Sequence, residues 1–295
     1  MLLNAQSPKK LIKPMHFIHA RHWLILSMVL LLGGCSRIGL VYNSSEFLIQ
    51  RYVNGYINLS PEQREQWRPQ LKAALAAHRA EDLPAVAAFI DQLRQLTQGE
   101  LTVIQLQQLR TELDRLYRQH AHRAVDLAAP LLAELNSAQI DALARRFERD
   151  RRKAQDKLDD YDPAQEVRKR RERYVENIAD WTGELSDAQQ VLIGEIAARI
   201  PHSQAAFNDY RFRQRTRLIA LLRSGADEST LNVFLSQWLI EFRDQPPAMA
   251  QAWIETETLI KELMVRLVAT LDDQQRARLD ERLGKLHQDV VRLTR

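Results

Sequence analysis

The chain has 295 residues, with glycine and proline scarce at 9 and 10 and a single cysteine. Leu, Ala, Arg, Gln and Glu dominate, which is an all-α composition, and one cysteine excludes an internal disulfide framework. The formal net charge is +4, but Lys9, Lys10, Lys13 and Arg21 fall in an N-terminal stretch with no acid; the remainder is neutral, which excludes a global electrostatic partner such as nucleic acid.

The basic stretch runs into ten apolar residues, Trp23 to Leu32, followed by Gly33, Gly34 and Cys35. A membrane span needs roughly 20 apolar residues, so this pattern reads as a signal peptide over residues 1–34. Leu32-Gly33-Gly34-Cys35 resembles a bacterial lipobox, with cleavage between Gly34 and Cys35 and lipidation of Cys35. Met15 is an alternative start. Ser36 in place of aspartate implies, by that resemblance, sorting to the outer membrane, with the domain facing the periplasm. Several acyl chains anchor a protein stably where one does not.

Residues 35–58 then read as a lipidated N-terminus, a tether and a first helix. Leu48, Ile49, Tyr52, Val53 and Tyr56 recur there at helical spacing. The remainder, residues 59–295, reads as one all-helical periplasmic domain. Five starts share one form, an N-cap residue followed three later by glutamine: Ser60 and Gln63, Thr102 and Gln105, Asn136 and Gln139, Ser186 and Gln189, Asp272 and Gln275. A capping box uses that spacing, because the cap side chain takes the third amide while the glutamine reaches back to the cap's own N–H. Ser60 also carries Pro61 at the first helical position. The helices that follow have apolar stripes of helical period: Trp67, Leu71 and Leu75 with His78; Leu106, Leu109, Leu113 and Leu116 with His120; Val167, Tyr174 and Trp181; Leu279, Leu283, Leu286, Val290 and Leu293. No stretch alternates long enough for a strand. The expected fold is all-α, an extended bundle or curved stack of about ten helices paired as hairpins. The motif spacings also allow a tandem duplication, with starts at 59, 101 and 135 set against 185, a weaker start at 227, and 271.

The segment from Arg145 to Arg173 is the most charged. It reads as two long helices meeting at Asp159–Pro163 and protruding as a charged hairpin. Its bases could meet anionic headgroups, but the interleaved acids favour a salt-bridged, solvated face.

Candidate chemistry is sparse. Asp159, Asp160 and Asp162 lack the length, glycine and distal glutamate of an EF-hand loop. His120 and His122 cannot share a helix face, and His78 and His120 read as histidines at the edge of the core. There is no HExxH, no phosphate loop and no GxSxG. The expectation is no enzyme, no metal and no cofactor.

The Leu-Ser/Thr-x-x-Gln motif resembles the LTxxQ repeats of the periplasmic chaperone and stress-sensing family that includes Spy and CpxP, which implies a helical cradle that holds unfolded clients without ATP. Along its whole mature length the chain is similar to an uncharacterised family of γ-proteobacterial lipoproteins of about 290 residues. The marks are Cys35-Ser36-Arg37, Leu40, Tyr42-Asn43, Trp67, His78-Arg79 and Glu81-Asp82-Leu83-Pro84. The resulting expectation is a lipoprotein bound to the bilayer through acylated Cys35. Its helical domain binds protein clients on an apolar concave face, or docks one envelope partner through the charged hairpin.

Overall fold

A computed structural model describes residues 37–295, all helix and connecting turns. The candidate cleavage and lipidation residues Gly34 and Cys35 lie outside the described residues. The helices are α1 (Arg37–Asn43), α2 (Ser45–Ile57), α3 (Pro61–Ala77), α4 (Leu83–Leu96), α5 (Val103–Ala133), α6 (Ser137–Asp159), α7 (Pro163–Thr182), α8 (Asp187–Arg199), α9 (Gln204–Arg223), α10 (Glu228–Leu239), α11 (Pro247–Ala269) and α12 (Asp273–Leu293), with a π-helical turn at His78–Asp82 joining α3 to α4. No described helix is long and apolar enough to cross a membrane.

The five glutamine motifs do more than start helices. At each, the cap side chain accepts the amide of the third residue and the glutamine accepts the cap's backbone N–H. Four of the five then meet in pairs. Gln139 donates to Gln63 at 2.6 Å, and Gln63 donates back at 3.2 Å. Gln63 also donates to the Glu134 carbonyl and Gln139 to the Asn58 carbonyl. Gln189 and Gln275 repeat this arrangement at 2.8 and 2.9 Å, with Thr270 and Glu184 supplying the carbonyls. Each amide thus accepts from its own cap and from its partner, and donates to its partner and to the opposite corner. That use of both donors explains glutamine here: glutamate could close a capping box, but it has no N–H to donate across. The fifth motif, Thr102 and Gln105, is solvent-exposed and bonds only within itself.

Around these two clasps the chain repeats one scheme. In the first half α2 lies on α6 and α3 on α5; in the second, α7 lies on α12 and α8 on α11. The helices between the clasped corners are exchanged. The α4 helix from the first half packs on α12 of the second, while α9 from the second half packs on α6 of the first. Two large cores result. One joins Trp67, Leu71, Val125, Leu143, Leu218, Leu231 and Phe234. The other places Val86 and Ile90 of α4 against Leu283, Leu286 and Val290 of α12, with Trp181 of α7. A third core, around Ile193 and Ile196, closes the second half. Removing apolar surface from water at about 25 cal/mol per Å² makes these exchanged faces the main source of stability.

The charged segment does form two helices that meet at one turn, and residues 151–153 and 155–157 are exposed. The two helices do not run along each other, however. The α6 helix lies on α9 and α2, and α7 lies on α8 and α12. Each presents an apolar stripe, with Leu143 and Ala154 on α6 and Tyr174 and Trp181 on α7, and the stripes are buried against different neighbours. The turn is held down as well, with Tyr161 stacked on His202 at 3.8 Å between ring centroids.

Candidate functional site

The densest group of chemically capable side chains lies where α3 passes into α4. Pro84 has no N–H, and its ring crowds the carbonyl four residues back, which disfavours a regular α-helix there. The backbone widens instead into the π turn His78–Asp82, with the Leu83 N–H bonded to the His78 carbonyl. Such turns cluster at functional positions because they redirect side chains without ending the helix. Here the turn aims His78 and Asp82 at α5, where His120 and Arg123 face them.

Asp82 is completely buried. Its Oδ1 accepts from Gln119 Nε2 at 2.6 Å and from Arg123 Nη2 at 3.0 Å, and its Oδ2 accepts from Arg123 Nε at 2.6 Å. Burial pushes the Asp82 carboxyl up, but the hydrogen bonds and charge of Arg123 outweigh it and hold the group below the usual carboxylate range. Arg123 also reaches Glu81, and its own pKa rises.

His78 is half-buried. Its Nδ1 lies 2.8 Å from the Tyr42 hydroxyl, and the two rings stack. Desolvation pushes the His78 pKa down to about 4, helped by the neighbouring His120 and Arg123, so the ring is neutral at pH 7. His120 sits 4.9 Å away, ring centroid to centroid, with Nδ1 2.6 Å from the Leu116 carbonyl. A carbonyl only accepts, so Nδ1 of His120 carries the proton and Nε2 holds the free lone pair. One ligand atom from each of His78, Asp82 and His120 lies within 4.8 Å of the other two. Among the described residues these are the groups able to hold a metal. Arg79 closes the outer side, bonded to Asn43 and lying over the Tyr42 ring.

The sequence marks Tyr42-Asn43 and His78-Arg79 are therefore spatial neighbours. The remaining sequence candidates go elsewhere. Ser60, Gln63, Asn136, Gln139, Ser186, Gln189, Asp272 and Gln275 build the clasps, and Thr102 and Gln105 cap α5 alone. Asp162 caps α7 through the amides of Ala164 and Gln165. His122 is exposed and points away from His120. Trp67 and Trp181 are buried in the cores, and Trp238 and Trp253 are half-buried around Phe242 and Met249. Asp82 stands in the sequence only as part of the mark Glu81-Asp82-Leu83-Pro84, with no role attached, and Gln119 and Arg123 are not singled out there. Only the Asp82-Leu83-Pro84 junction, a proline inside an apolar helical stripe, carries a local signal for the turn.

The sequence model described as "Family of unknown function (DUF6279)" matches residues 55–245. The chain belongs to this family. The DUF6279 match spans the first clasp, His78, Asp82 and His120, and ends before Gln275. No curated protein and no solved structure matches the chain.

Proposed function

We propose that this DUF6279 chain is a membrane-anchored lipoprotein of the bacterial envelope, held in the periplasm by acylated Cys35, whose helical domain binds protein and turns over no substrate. The observation that carries the reading is a strip of exposed apolar side chains next to the anchor. Leu40, Val41, Phe47, Leu48 and Tyr52 recur on one face of α1 and α2, with Leu40 70% and Phe47 62% exposed. The opposite face holds the domain, through Ile38 and Tyr42 on one core and Ile49, Val53 and Tyr56 on the other. A helix apolar on both faces has two surfaces to cover. Leu40 follows Cys35 by five residues, a reach of at most about 17 Å, so the strip is confined to the bilayer surface.

That placement favours one defined envelope partner over diffusing unfolded clients. Exposed apolar residues elsewhere, such as Val103, Val191 and Ile254, lie on separate helices. The chaperone-like reading would need them gathered on one concave face. The docking surface proposed here is the strip beside the anchor rather than the charged helices. A photo-crosslinking residue at Phe47 of the full-length chain, activated in living cells, tests this. One discrete protein adduct, lost with Leu40→Ser and Leu48→Ser, is the expected result. A broad ladder would favour client holding, and adducts to lipid alone would overturn protein docking. Metabolic labelling with a fatty acid, lost in Cys35→Ser, tests the anchor separately.

A further inference from the structure

We infer that His78, His120 and Asp82 form a binding site for a divalent transition-metal ion of the zinc type, with an open coordination position. Two imidazoles and one carboxylate are the donor set that such ions select, with Zn–N and Zn–O bonds of about 2.0–2.2 Å. Their ligand atoms already lie within 4.8 Å of one another, so small side-chain rotations close the set.

The surrounding hydrogen bonds prepare each donor. His120 gives its Nδ1 proton to the Leu116 carbonyl, which leaves Nε2 as its donor atom. His78 has its Nδ1 against the Tyr42 hydroxyl, and with that nitrogen donating the Nε2 lone pair is left for the ion. Histidine ligands are ordinarily held by such an outer bond. Asp82 offers about four lone-pair directions, and Gln119 and Arg123 fill three. The fourth is open, and the clamp fixes the carboxylate's orientation. Glu81 offsets the Arg123 charge on its outer side.

The second half of the chain argues that these groups are not there for folding. His78 and Asp82 lie fifteen and nineteen residues after the clasp residue Gln63; the same distances after Gln189 reach Gln204 and Asn208. There the pair is two neutral amides, with Gln204 Nε2 donating to Asn208 Oδ1 at 2.9 Å. His120 lies nineteen residues before Gln139, and nineteen before Gln275 stands Thr256. The repeated scaffold closes without imidazole or carboxylate at these places.

Zinc titration of the full-length chain in detergent tests the site, with His16, His19 and His22 replaced by alanine wherever residues 1–34 are retained. His78→Gln and His120→Thr each copy the second half, so both variants should fold. We expect one Zn²⁺ per chain with a rise in Tm, and at least a hundredfold weaker binding in each variant at an unchanged metal-free Tm. Co²⁺ should give visible absorption typical of a four- or five-coordinate nitrogen and oxygen site, absent from both variants. Failure to bind zinc stoichiometrically, or equal affinity in the wild type and both variants, overturns the site.

Discussion

The corner at Gln63 and Gln139 and the corner at Gln189 and Gln275 are one construction used twice, yet they differ in burial and in what lies beyond them. Gln189 and Gln275 are 3% and 5% exposed, while Gln63 is only half-buried. Beyond the leading glutamine, the first half carries a histidine and an aspartate where the second carries two amides. The shared part is the set of interactions the fold needs: a cap, a reciprocal amide pair and two carbonyls from the opposite corner. The differing part bears charge and titrates, which a folding role does not require. The comparison separates scaffold from site within one chain.

Cutting the chain between Asp160 and Tyr161 gives the largest expected effect. Because α4 packs on α12 and α9 on α6, neither fragment should show cooperative unfolding alone, and a one-to-one mixture should recover it by circular dichroism. Next is Gln275→Glu, which keeps size and shape but removes the donors and sets a carboxylate against Gln189 and the Glu184 carbonyl. We expect a loss of about 3 kcal/mol at pH 7 by urea unfolding. The penalty relative to wild type should shrink as pH falls and the carboxyl protonates. Gln105→Glu at the unpaired motif should change stability by less than about 0.5 kcal/mol.

The cluster itself can be read in acid, with chelator present. His78 has a folded pKa pushed down to about 4 from the ordinary 6.5 among Tyr42, Asp82, His120 and Arg123. A group that resists protonation in the native state contributes fully above pH 6.5, and its contribution is lost as pH falls from there toward 4. After discounting for partial exposure, we expect His78→Gln to remove roughly 2 kcal/mol of this acid destabilisation, seen as a flatter Tm against pH. Thr102→Ala removes an isolated cap and should cost about 1 kcal/mol in urea unfolding, less than the loss at Gln275 and more than the change at Gln105.

Much of the scaffold was legible because capping is local. Ser60 and Gln63 are three residues apart, and the box between them follows from that spacing. The pairing of Gln63 with Gln139 was not legible, since the partner lies 76 residues away and either glutamine looks complete with its own cap. The same holds at the candidate site. His78 and His120 could each be placed on an apolar stripe, but their meeting depends on how α3 and α5 cross. The burial of Asp82 was hidden for a different reason: an acid beside Glu81 in a helical run looks solvated, and only the π turn after Ala77 carries it inside. The charged segment misled because its charge pattern outweighed the sparse apolar stripe that lays each of its helices on the stack.

The exchange of α4 and α9 bears on the order of assembly. Arg94 on α4 is joined to Asp280 on α12 across 186 residues at 2.6 Å, so contacts of very long sequence separation close the fold. Loop-closure entropy must be met before such contacts stabilise anything, and chains built this way fold slowly. The α5 helix covers part of the apolar face of α4, but its main cover is missing until α12 has been synthesised. If the chain is threaded across a membrane from its N-terminus, α4 must wait on the far side without its main partner until nearly the last residue arrives. Delivery in an unfolded form is thereby built into the topology, and the second clasp, whose Gln275 comes last, is the latch that ends the wait.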